Sequence, residues 1–278
     1  MPKPGSLARA TRVRVDGRSA ARCAGVADRG AEALRFFDDP EYLRIALGER
    51  TDSESSRGAL DAARLAGCAP GALILDAGCG PGRHALALAR MGYRVVGLDR
   101  AVVLLAAGRR AAGGAPWPRF VRGDYARVPF PDGSFHAVLN LGTALGYGGE
   151  REDLAALREF RRVLARGGWL VLETAHRDAA APGGALAELE ERTLPAGSVL
   201  RVQRHFDARR GLLHEVQQLR DRDVWGPPRA YPIRLYAAAE FDRMLTRAGF
   251  GARTLHASLT GRGVPGPADP LVIAAAAP

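Results

Sequence analysis

Leu73-Ile74-Leu75-Asp76-Ala77-Gly78-Cys79-Gly80-Pro81-Gly82 is the stretch that decides the fold. A short apolar run ends in an acid, a tight glycine turn follows, and a helical stretch from Arg83 to Met91, stopped by Gly92, opens behind it. This is the strand–turn–helix opening of a βαβ unit. Ligands in such sheets sit beyond the carboxyl ends of the strands, where the strand order reverses. Glycines belong there because the backbone passes close to a ligand and some positions require positive φ. The spacing is GxGxG, not the GxGxxG of dinucleotide binders. Asp76 stands just ahead of the loop and would repel a pyrophosphate, whereas it would welcome a cationic amino group.

Working outward, apolar runs alternate with helical ones. Arg94–Leu98 reads as a second strand, followed by a helix through Leu104 to Ala112. Arg119–Arg122 and His136–Asn140 read as the third and fourth strands. Asp153–Ala165 carries Leu154, Leu157, Phe160 and Leu164 on one helical side, and Gly167-Gly168 ends it before a fifth strand over Trp169–Glu173. Upstream, Phe36, Phe37, Tyr42, Leu43 and Ile45 have helical spacing broken by Pro40, and a second helix is expected over Ser55–Ala66.

The rhythm changes after the fifth strand. Pro182–Ala187 reads as a loop or short helix, and residues 198–236 read as extended segments. Leu200, Val202 and Phe206 share one face at period two, with Arg204 as the polar exception, and residues 207–211 supply a hairpin turn. Leu212–Arg220 and the Ile233/Leu235 segment complete an expected three-stranded antiparallel insertion. A helix over Ala238–Ala248 stops at Gly249, and Thr254–Leu259 and Leu271–Ala275 are the last strands. The pattern predicts an α/β fold: a doubly wound, Rossmann-like, mostly parallel sheet of seven strands with an antiparallel β lid inserted after the fifth. The expected organisation is a basic leader over residues 1–32, a core over 33–178 and 237–278, and a lid over 179–236.

Composition narrows the classes. The chain has 278 residues, 47% apolar and 25% charged, which suits one large globular domain with an insertion. No apolar run approaches the roughly 20 residues of a membrane helix, and residues 1–30 hold no secretory apolar core. Cys23, Cys68 and Cys79 form no CxxC pair, which points to free thiols in a reducing cytoplasm and to no metal site. The formal charge of +10 invites a nucleic-acid reading. Half of that excess sits in residues 1–30, where Lys3, Arg9, Arg12, Arg14, Arg18, Arg22 and Arg29 face only Asp16 and Asp28. Lys3 is the one lysine of the chain, a bias toward arginine more than a built basic face.

The glycine stretch resembles motif I of the class I S-adenosylmethionine-dependent methyltransferases. The resemblance extends over about residues 35–278. It implies that Gly78, Cys79, Gly80 and Gly82 wrap the cofactor and that Asp76 lies near its amino-acid end. Asp99, closing the second strand with Arg100 behind it, would accept both ribose hydroxyls. Asp124, followed by Tyr125, would bond the adenine amino group. Asn140 and Leu141 would flank the cofactor, and Tyr42 matches an N-terminal aromatic that covers it. His136 stands where the family commonly has Asp and reads as structural. S-adenosylhomocysteine would be the product.

Asn140-Leu141-Gly142-Thr143-Ala144-Leu145-Gly146-Tyr147 is similar to a stretch of a small-molecule subgroup with a β-rich lid, which includes sugar N-methyltransferases and glycine or sarcosine methyltransferases. The resemblance implies methyl transfer to N or O of a small acceptor, of natural-product type among the options. His176 is the candidate general base, with Tyr147 and Asn140 beside the acceptor. Arg234 is a candidate for binding an acceptor carboxylate, joined in the lid by Tyr236 and His205. The run lacks the Asn/Asp-Pro-Pro-Tyr/Phe signature of base, glutamine and DNA methylation, which counts against nucleic acid. An RNA methyltransferase and a non-catalytic S-adenosylmethionine-binding protein stay open as alternatives, as does a homodimer through lid edge strands. One local departure stands out: Ala237 occupies a helix start where relatives place Ser or Thr, a cap worth about 1 kcal/mol.

Overall fold

The computed structural model describes residues 36–48, 52–180, 186–266 and 269–278. The expected leader, and most of the expected loop over 182–187, lie outside the described residues.

Seven strands form the central sheet: β1 (Leu73–Ala77), β2 (Arg94–Asp99), β3 (Arg119–Arg122), β4 (Phe135–Asn140), β5 (Leu164–Thr174), β11 (Arg253–His256) and β12 (Leu271–Ala276). Their order is β11-β12-β5-β4-β1-β2-β3, with β12 antiparallel to both its neighbours and the remaining pairs parallel. The helices are α1 (Pro40–Gly48), α2 (Asp52–Leu65), α3 (Arg83–Arg90), α4 (Val102–Ala112), α5 (Glu150–Val163) and α6 (Ala238–Ala248). Apolar side chains pack on both faces of the sheet. Leu75, Val138, Leu170 and Ile273 meet α5 and α6 on one side, while Ile74, Leu139 and Val171 meet α2 and α3 on the other. Strands buried on both faces read as continuous apolar runs, which is why they were legible.

One local expectation holds and one changes. The helical spacing is broken ahead of Pro40 as expected: residues 36–37 are helical, a turn follows, and Pro40 opens α1, where its missing N–H costs nothing. Gly167-Gly168 lies inside β5, where the register against β4 shifts, so the pair bends the strand instead of preceding it.

The lid is larger than the three expected strands. A second antiparallel sheet runs β10-β8-β7-β6, from β6 (Leu189–Thr193), β7 (Val199–Asp207), β8 (Leu212–Asp221) and β10 (Arg229–Arg234), with the short β9 (Val224–Trp225) on β8. The polar sequence of β6 hid it: its side chains pair as ions, Glu191 with Arg201 and Glu190 with Arg204. The inner lid face packs Leu200, Val202 and Leu219 onto Ile45 of α1, and Leu213 and Ile233 onto Phe36. Among the described residues, no helix is long and apolar enough to cross a membrane.

Candidate active site

The chain leaves β1, winds outward to β2 and β3, and returns to β4 on the opposite side of β1. The crevice at that reversal is where such a sheet binds ligands. Its floor is the glycine loop. Gly78 N–H and Cys79 N–H both donate to the Leu98 carbonyl, at 2.8 and 3.1 Å, which clamps the loop to the end of β2. Gly78 has φ 76°, and a Cβ there would stand 2.7 Å from Ala144 Cβ. The two sides of the crevice therefore approach as closely as backbone allows. Gly82 serves packing: with Gly97 and Gly108 it makes room for the Phe120 ring.

The crevice is lined by Gly78, Cys79, Gly80, Arg83 and Asp99 on one side and by Leu141, Gly142, Thr143 and Tyr147 on the other, with Phe37 and Tyr42 above. Asp99 Oδ2 accepts from Gly80 N–H at 2.8 Å and Oδ1 from Ala101 N–H at 2.9 Å. The Arg100 N–H is a third donor, and a carboxylate has about four acceptor positions, so capacity for a hydroxyl remains. Burial pushes the Asp99 carboxyl above its usual range, opposed by those N–H bonds. Asp76 is 1% exposed and lies beneath the loop, not on the crevice wall. Burial drives its carboxyl up to about 7 against the pull of Arg83, and it accepts from the N–H of Ala85 in the first turn of α3. Asp76 thus caps a helix start, with its other oxygen, Oδ2, unpartnered.

Asn140 is fully buried; its Nδ2 donates to the Ala77 carbonyl at 2.8 Å and its Oδ1 has no partner. It joins β4 to β1 under the loop, and the acceptor-side position expected for it falls to Leu141 and Thr143. Two unpartnered oxygens beneath the loop, with Asp99 at its edge, make the floor rich in acceptors. That fits a ligand presenting an ammonium group and hydroxyls. Asp124 ion-pairs with Arg100 at 3.7 Å and accepts from Ala126 N–H, holding the turn after β3. Tyr125 donates to the Ala144 carbonyl at 3.0 Å. The Cys79 thiol is buried and pushed well up by that burial, which makes it an inert loop residue.

Several expected acceptor groups lie elsewhere. Arg234 donates to Glu240 at 2.6 Å and to the Leu235 carbonyl at 2.8 Å, and its N–H donates to the Gly146 carbonyl. Tyr236 is 2% exposed and donates to Asp153 at 2.5 Å. Asp153 also accepts from Gly146 N–H, so these residues form a clasp between lid and core. Committed to these partners, Arg234 and Tyr236 do not line the crevice where acceptor-binding groups were expected. His205 pairs across strands with His214 on the outer lid face, away from the crevice. His176 is 7% exposed, does not line the crevice, and accepts from Asp178 N–H at 3.2 Å in the turn that follows β5. That is the geometry of a turn-closing histidine, outside the crevice lining where a general base was expected. His136 accepts from Leu73 N–H at 3.2 Å, the structural part expected of it.

The structure also brings in residues that the sequence did not single out. Arg83, at the first position of α3, lines the crevice beside Gly142. Thr143 has φ 60°, a costly conformation for a β-branched residue, on the order of 1–2 kcal/mol. It is held there by donating its N–H to the Glu173 carbonyl and accepting from Ala175 N–H, each at 3.0 Å. Phe37 meets Tyr147 edge-on at 4.9 Å and Tyr42 at 4.9 Å, which closes the upper end with aromatic rings. Arg83 directly follows the glycine run, a signal that was available; nothing in sequence marks the strained Thr143.

Comparison with known proteins agrees with this geometry. Residues 74–168 match the family described as "Methyltransferase domain". A demethylmenaquinone methyltransferase of Beutenbergia cavernae is 38% identical over 106 residues, 38% of this chain and 42% of that protein. The matched stretch spans about two fifths of that relative's length. Among solved structures, the CcbJ methyltransferase of Streptomyces caelestis superposes with TM-score 0.68 at 22% identity, covering 82% of this chain and 93% of that one. CalS10 of Micromonospora echinaspora, an amino pentose methyltransferase solved with S-adenosylmethionine bound, gives TM-score 0.63 at 23% identity, over 85% and 97%. The matched methyltransferase domain contains the glycine loop, and the solved methyltransferases share the fold of this chain.

Proposed function

We propose that this protein transfers the methyl group of S-adenosylmethionine to N or O of a small molecule held between the crevice and the lid. The observation that carries the reading is the juxtaposition of an acceptor-rich glycine floor with an aromatic wall of Phe37, Tyr42 and Tyr147. Bound on that floor, S-adenosylmethionine supplies a methyl group already attached to a good leaving group. The chain's own residues then have to align and to exclude water. Arg83 would hold the carboxylate end, the oxygens beneath the loop the ammonium, Asp99 the ribose, and Asp124 with Tyr125 the adenine side. Tyr42 and Tyr147 would position the acceptor and shield the reacting atoms. The involvement of CalS10 in calicheamicin biosynthesis favours secondary metabolism, and free Cys68 and Cys79 suit a reducing cytoplasm.

The test is release of S-adenosylhomocysteine from S-adenosylmethionine across a panel of small amines, alcohols and phenols. Release with some amines or hydroxyl compounds, beyond the rate without acceptor, is the expected result. No release with any acceptor, from folded protein shown to bind the cofactor, would contradict the reading. The +10 charge supports a second one, an RNA substrate. That reading requires steeply salt-dependent RNA binding.

A further inference from the structure

We propose that the Thr143 hydroxyl is a hydrogen-bond donor to the methionine carboxylate of the cofactor, and that Glu173 is the positioning residue that holds it in the crevice wall. This rests on the methyltransferase reading above and deepens it.

Gly142 and Thr143 follow β4 as two consecutive residues in the left-handed region, at φ 71° and 60°. Glycine takes that conformation freely, whereas a β-branched residue does not. The loop has glycine at 142 and again at 146, yet it keeps threonine at 143. The side chain is therefore retained against backbone strain. Strain of this kind persists only where the surroundings over-determine it, and it clusters at functional sites.

The end of β5 supplies that over-determination. The Gly142 N–H donates to Glu173 Oε2 at 3.1 Å, and the Thr143 N–H donates to the Glu173 carbonyl at 3.0 Å. The Ala175 N–H donates back to Thr143 Oγ1 at 3.0 Å. Two successive N–H groups thus end on one residue. Glu173 is 7% exposed and does not itself line the crevice, whereas Gly142 and Thr143 do. Without its side chain the Gly142 N–H would lose its acceptor, and the strained pair could relax away from the crevice.

A hydroxyl has one proton to donate and two acceptor positions. Thr143 Oγ1 uses one acceptor position on Ala175, and among the described residues its proton goes to no protein atom. Arg83 lines the same wall: its Nη2 would stand 3.0 Å from a Cβ placed on Gly142. A guanidinium and an O–H donor, side by side along the wall, suit an anionic oxygen. An ammonium would meet the repulsion of Arg83. The carboxylate of the methionine end is the anion that S-adenosylmethionine carries, and S-adenosylhomocysteine keeps it.

The experiment compares two ligands that differ by that group alone, S-adenosylhomocysteine and decarboxylated S-adenosylhomocysteine, titrated calorimetrically into the full chain. The wild type is expected to bind the carboxylate-bearing ligand about tenfold or more tightly. Thr143→Val should narrow that gap by about tenfold, because only the ligand with the carboxylate loses a bond. Thr143→Ser should keep the gap. Glu173→Ala should narrow it as well, and Glu173→Gln, whose amide oxygen can still accept from the Gly142 N–H, should restore it. The Glu173 pair carries the test if Thr143→Val does not fold. An equal loss of both ligands in Thr143→Val would make the hydroxyl a loop anchor only and overturn the proposal. So would an unchanged gap in that variant, or a wild type without a gap. A folded wild type that binds neither ligand strikes instead at the methyltransferase reading.

Discussion

The crevice floor and the lid are held together with opposite materials. The floor is backbone: N–H groups tied to the Leu98 carbonyl, a glycine at φ 76° pressed against Ala144, and acids that close turns and helix starts. The lid is side chain: Arg204, Glu215, Gln217 and Tyr231 interlocked on a buried sheet face. A backbone site tolerates little change in sequence and can be shared across enzymes with different acceptors. A side-chain site can be rewritten residue by residue, which is where acceptor identity would be expected to reside.

The largest expected effect tests whether the two regions are separable. Arg204→Met leaves Glu215 without its cation, and should cost about 3 kcal/mol in denaturant unfolding. The folded variant should still bind S-adenosylhomocysteine within about twofold of wild type, the scale expected for a distant site. Lost cofactor affinity would mean that lid and floor are one unit. Gly78→Ala attacks the other side. A Cβ 2.7 Å from Ala144, at positive φ, should cost about 2 kcal/mol and weaken S-adenosylhomocysteine binding by more than about tenfold. A tight-binding, stable variant would refute the close approach.

Asp76 sharpens the contrast through pH. Its carboxyl is raised by burial to about 7, above its unfolded value near 3.8, so the folded state holds the extra proton between those limits. Stability should therefore fall as pH rises from about 4 to 7, by up to about 1.4 kcal/mol per pH unit. Asp153, raised by burial to about 6, adds a shallower part of the same sign. Asp76→Asn should flatten most of the slope, measured as denaturation midpoint against pH; an unchanged slope would contradict the burial argument. The smallest effect lies at the lid–core seam. Ala237 has no side-chain cap on α6, although Glu240 already accepts from its N–H at 2.8 Å. Ala237→Ser should gain about 1 kcal/mol, read as a higher thermal midpoint.

The same contrast explains what the sequence disclosed. The strands of the core are apolar runs between glycine stops, so β1 to β5 and α6 could be read within a few residues. The floor was legible because GxGxG and the acids after β1, β2 and β3 are local in sequence. The lid's inner face was not, since β6 has no apolar alternation and Arg204 looked like an exception. Arg204 is buried because Glu215 and Glu190 meet it from other strands, a fact no local pattern carries. His176, Arg234 and Tyr236 are expected at the acceptor from their position along the chain, yet His176 Nδ1, the Arg234 guanidinium and the Tyr236 hydroxyl bond Asp178, Glu240 and Asp153. Thr143 is strained by long-range bonds to β5, equally invisible from its neighbours.

Calorimetric titration of the full chain with S-adenosylhomocysteine, beside Asp99→Ala, tests the central claim most directly. The account predicts a Kd on the order of 1 μM, about −8 kcal/mol, weakened at least about tenfold in the variant as a hydrogen-bonded charge is lost. No binding by the folded wild type, or equal binding by the variant, would contradict it.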